Sequence, residues 1–82
     1  MKRFYFVFGS DPEFPYQNGY LVVCAKNIND ALTEFRRHYP DKAFNCPNCQ
    51  AVYDQNEWST FGCVYAGQEP FAVMYAKEAA AQ

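Results

Sequence analysis

From Arg3 to Phe8 the side chains alternate, with Phe4, Phe6 and Phe8 on one side of an extended chain and Arg3, Tyr5 and Val7 on the other. A period of two in aromatic and β-branched residues predicts a strand, closed by Gly9. Residues Ser10 to Asn18 break the pattern with two prolines, two acids and the Asn18-Gly19 pair, the composition of a loop. Tyr20 to Ala25 is apolar on both sides, which predicts an interior strand.

At Asn27 the period lengthens. Ile28, Ala31, Leu32, Phe35 and Tyr39 recur at the spacing of one helix face, while Thr33, Glu34, Arg36 and Arg37 fall elsewhere on the wheel. Asn27 caps the start, Asp30 is placed for a return contact, and Pro40 ends the helix. The arginines near the carboxyl end suit the helix dipole. This helix is expected to roof the Phe4/Phe6/Phe8 face.

Beyond Asp41-Lys42 an irregular stretch holds Cys46-Pro47-Asn48-Cys49, followed by a short strand at Ala51-Val52-Tyr53. Asp54, with Glu57 three residues on, repeats the capping signature and opens a short helix to about Phe61, which Gly62 ends. Cys63-Val64-Tyr65 reads as another short strand. Phe71 to Ala76 alternates again and closes the sheet, and Lys77 to Gln82 reads as a frayed or weakly helical tail. The predicted order, β-β-α-β-α-β, implies a single α+β domain over residues 1–76. It is a two-layer sandwich with a mainly antiparallel sheet and one main helix on one face.

Composition narrows the function. The chain has 82 residues, 20% of them aromatic, and a net charge of −2. So many aromatics exclude a disordered polypeptide, and the charge argues against a nucleic-acid binder held by surface charge. No apolar run approaches the roughly 20 residues of a membrane span. The start, Met1-Lys2-Arg3 followed by Phe4 to Phe8, imitates a signal peptide, but Gly9-Ser10-Asp11-Pro12-Glu13 interrupts it. The expected location is the cytoplasm, where thiols stay reduced or hold metal. A secreted chain would instead pair its cysteines in one of three ways.

Cys46-x-x-Cys49 is the sharpest chemical feature, because two thiolates at this spacing can wrap one tetrahedral zinc ion. Cys63, with His38 or Cys24, is the candidate to complete a structural Zn²⁺ site; the alternative is four reduced structural thiols. A redox role for Cys-Pro-x-Cys needs a helix N-terminus after the first sulfur, whereas Gln50 to Tyr53 favours a strand. Lys2 to Phe8 has some likeness to an RNA-recognition strand, but Arg3 and Tyr5 fill the small-residue positions. Ser10, Ser59 and Thr60 lack a hydrolase elbow, the acids are scattered, and no glycine-rich phosphate cradle occurs, so the chain is not expected to be an enzyme. In the loop from Asp11 to Tyr20, the aromatics Phe14, Tyr16 and Tyr20 either anchor a partner or fold back over the core.

Several segments carry a likeness. They are Arg3-Phe4-Tyr5-Phe6-Val7-Phe8-Gly9-Ser10, Phe14-Pro15-Tyr16-Gln17-Asn18-Gly19-Tyr20, and Phe35-Arg36-Arg37-His38-Tyr39-Pro40-Asp41. The cysteine pair with Val52-Tyr53 and Glu57-Trp58 adds to them. Over residues 2 to 75 the chain resembles small uncharacterised proteins of phages, prophages and other mobile elements of gut Gram-positive bacteria. Relatives often carry a cysteine followed by histidine near the last strand; here Cys63 stands earlier and no such pair occurs. The resemblance implies a protein that binds host machinery, such as CRISPR or another defence system. The alternative is a small zinc-stabilised domain associated with nucleic acid.

Overall fold

The computed structural model describes residues 1–76; the tail expected over 77–82 lies outside the described residues. Strands β1 (Lys2–Phe8) and β2 (Gly19–Ala25) pair antiparallel from Lys2 opposite Ala25 to Phe8 opposite Gly19. Directly opposed residues share a face, so Phe4 stands beside Val23 and Phe6 beside Leu21. Every residue of β2 is buried, as its two-sided apolar pattern requires.

Helix α1 (Ile28–His38) is capped by Asn27, whose side-chain oxygen accepts from the Asp30 amide. It lays Ala31 and Phe35 on the Phe4/Phe6/Phe8 face, with the Phe35 ring stacked on Phe6 at 4.4 Å. Phe6, Phe8 and Phe35 are fully enclosed. Burying each contributes about 1.5–3 kcal/mol.

The opposite face is also apolar, with Tyr5, Val7, Tyr20, Val22 and Cys24 forming a second cluster. Strand β3 (Ala51–Tyr53) pairs antiparallel with β1. Helix α2 (Gln55–Phe61) then crosses this second face, opened by a reciprocal capping box in which Asp54 accepts from the Glu57 amide and Glu57 from the Asp54 amide. The expectation of one main helix on one face is therefore met only in part. A sheet apolar on both sides needs a cover on each, and α2 supplies the second.

Two further expectations are corrected. Cys63 to Tyr65 is not a strand; Gly62–Tyr65 winds into a 3₁₀ helix that continues α2 and brings Tyr65 onto Trp58, with ring centroids 5.5 Å apart. The last strand is shorter, β4 (Val73–Tyr75), and it runs parallel to β2 in a mixed sheet of order β3-β1-β2-β4. The cause is the crossover: α2 carries the chain from one border of the sheet to the other, so β4 runs in the direction of β3, which is opposite to β1 and hence along β2.

Candidate interaction surfaces and the cysteine loop

The chain between α1 and β3 is irregular because Pro40 and Pro47 interrupt regular pairing. It is nonetheless pinned. Arg36 Nε lies 2.8 Å from Asp41 Oδ1, and Lys42 Nζ lies 2.8 Å from Asp11 Oδ2 and over the Phe14 ring. Within it, the Lys42 amide donates to the Cys46 carbonyl and the Cys46 amide to the Ala43 carbonyl. Asn45 takes the left-handed conformation (φ 56°) that this tight turn needs. At its tip stands Phe44, 100% exposed.

Cys46 is exposed and Cys49 half-buried at the point where the loop rejoins the sheet, one residue before the Gln50 amide donates to the Val7 carbonyl. Burial, and then the neighbouring Cys46 sulfur, push the Cys49 thiol up to about 12 against an opposing backbone hydrogen bond from Ala51. The chain enters β3 after Cys49, so no helix N-terminus activates either thiol. Asn48 Oδ1, between the two cysteines, is enclosed without a hydrogen-bond partner.

The other expected zinc ligands lie elsewhere. Cys63 is exposed on the 3₁₀ helix, which packs on the second face through Tyr65. Cys24 is buried in mid-strand among that same cluster. His38 Nε2 is 2.9 Å from Glu34 Oε2. Among the described residues, no three of His, Cys, Asp or Glu gather as a metal-binding group. The set Cys46, Cys49, Cys63 and His38 is thus not brought together, because Cys63 and the α1 terminus sit on opposite faces of the sheet.

The expected partner anchors are also placed differently. Tyr20 is buried and its hydroxyl donates to the Gln68 carbonyl at 2.8 Å. Phe14 and Tyr16 are half-buried and close the first cluster, Tyr16 stacking on Phe71 at 4.7 Å and sharing a 2.9 Å hydroxyl contact with Tyr39. The hydrophobic effect draws Phe14 and Tyr16 back over the first cluster and Tyr20 into the second, on the opposite face of the sheet.

Apolar surface is presented at β4 instead. Phe71 just before it, and Val73 and Tyr75 within it, are 43%, 41% and 67% exposed. Val73 and Tyr75 lie across from Val22 and Cys24, on the face where Arg3 rests over Tyr5. The sequence held a signal for this. Val73 and Tyr75 alternate with Ala72, Met74 and Ala76, the pattern of a strand. Phe44 is a lone aromatic in a polar turn, with no periodicity around it to signal its exposure.

A cleft of about 480 Å³ opens at the starts of β1, α1 and α2, between Lys2, Arg3, Asn27, Asp54 and Glu57. Its two carboxylates are occupied by the α2 cap. Basic residues are similarly engaged, since Arg36, Arg37 and Lys42 all pair with acids. Among the described residues no helix is long and apolar enough to cross a membrane. No protein family, curated protein or solved structure matches the chain.

Proposed function

We propose that this chain is a small non-catalytic binding protein of phage or mobile-element type, acting in the host cytoplasm on a host or defence-system protein. Its contact surface is the β4 border of the sheet. The observation that carries this reading is the exposure of Phe71, Val73 and Tyr75 on and beside a border strand. Such a strand offers unpaired backbone N–H and C=O groups to an extended segment of a partner, and alternate side chains set its specificity. Val73 and Tyr75, side by side with Val22 and Cys24 on one face, add the apolar contact that anchors an interface.

The test is affinity capture from the native host together with a phage-restriction assay. The wild-type chain retains a stoichiometric host or defence protein and relieves restriction. Val73→Lys with Tyr75→Glu, which alters exposed positions only, weakens capture at least tenfold with an unchanged circular dichroism spectrum. No retained protein and unaltered restriction would overturn the reading.

A further inference from the structure

The cysteine loop presents half of a tetrahedral site. We propose that Cys46 and Cys49 bind Zn²⁺ together with the same two residues of a second copy of this chain, giving a tetrathiolate centre between two protomers. Zinc in a structural role takes four ligands, and a Cys-x-x-Cys pair supplies two. Among the described residues no further His, Cys, Asp or Glu completes a group around the pair. Cys46 is exposed at the mouth of a turn pinned by the Arg36–Asp41 and Lys42–Asp11 ion pairs, so a second molecule can reach it without unfolding the first.

One further feature points the same way. Phe44, two residues from Cys46, is wholly in water; joining two copies at the cysteines brings the two Phe44 side chains to the junction, where they lose that exposure. On binding, each chain gives up two thiol protons to solvent, four S–H bonds are replaced by four Zn–S bonds, and no electrons move.

The full chain, reduced and untagged, is titrated with zinc chloride and followed by light scattering and native mass spectrometry. The expected result is a doubling of the 9.5 kDa mass at half an equivalent of zinc per chain, reversed by a chelator. Co²⁺ in its place gives sulfur-to-cobalt charge-transfer absorption. Cys46→Ser, at an exposed position, abolishes the doubling while its metal-free melting curve matches wild type. Cys63→Ser and His38→Gln leave mass and stoichiometry unaltered. A monomer holding one zinc, a chain retaining none, or loss of zinc in Cys63→Ser overturns the proposal. The β3-side loop is across the sheet from β4, so Val73→Lys with Tyr75→Glu still doubles in mass, and failure here leaves the binding surface to be judged on its own test.

Discussion

The indole of Trp58 lies flat on the ring of Tyr5, with centroids 4.3 Å apart and planes inclined by 1°. Tyr65 stacks on Trp58 in turn, at 5.5 Å and 14°. Three rings in register therefore couple β1, α2 and the 3₁₀ helix across the second face. Gly62 permits this: a Cβ there would stand 2.6 Å from the indole. Trp58→Ala removes the middle ring and is expected to cost about 3 kcal/mol, at the lower end for such truncations because Trp58 is only half-buried. Urea denaturation followed by circular dichroism measures it, and a loss below about 1 kcal/mol would show that the stack contributes little.

Asp54 and Glu57 cap α2 reciprocally. Asp54→Ala should cost about 1 kcal/mol and Asp54→Ser much less, since a serine hydroxyl still accepts the amide. The denaturation midpoints of the two variants separate capping from lost charge.

Glu34 is buried on α1. Burial pushes its carboxyl up, but hydrogen bonds from His38 and Arg37 outweigh this and hold it below its ordinary 4.5. The unfolded chain then binds the proton more readily, so this stabilisation is complete above that value and disappears as pH falls through the lower folded-state value. Stability of Glu34→Gln, measured against pH, should show a shallower acid limb than wild type.

Tyr39 behaves in the opposite sense. Burial and the contact with Tyr16 raise its phenol from 10.0 to about 12. The associated stability is present below pH 10.0 and is lost as pH rises toward about 12. Tyr16→Phe removes the hydroxyl partner, costs about 0.5–1.5 kcal/mol, and brings the Tyr39 transition in a phenolate absorbance titration to lower pH.

Phe44 and Phe35 are the extremes of exposure. Phe44→Ser in the metal-free chain should leave stability within about 0.5 kcal/mol, whereas Phe35→Ala should cost about 3–5 kcal/mol. Equal effects on the melting curve would contradict the placement of the loop.

Most of the elements were legible from local chemistry. The Phe4/Phe6/Phe8 alternation and the Asp54/Glu57 cap stand where the pattern puts them, and the helical stripe does so through Ala31 and Phe35, while Ile28 stays exposed and Glu34 is buried. What escaped depends on long-range pairing. Nothing near Val73 states that it will lie beside Val22 in parallel, because that direction follows from a crossover over the whole second face. Cys63 to Tyr65 has strand composition, yet the ring contact with Trp58 overrides it. Gly19 reads as a turn residue, but Asn18 takes the positive φ; a Cβ on Gly19 would stand 2.5 Å from the Phe71 ring. In the candidate site, the cysteine spacing was visible and the number of ligands that converge on it was not. Spacing along the chain carries no information about which sheet face a distant residue reaches.

The short β4 also governs how safely the chain can be shortened. Through it the Val22 amide finds the Ala72 carbonyl and the Cys24 carbonyl finds the Ala76 amide. A polypeptide stopped before Phe71 would bare the flank of Gly-Tyr-Leu-Val-Val-Cys-Ala, an uncharged, seven-residue run with strong extended propensity. Such a flank is a template for stacking identical molecules into fibrils, so those last few bonds guard the protein against self-aggregation.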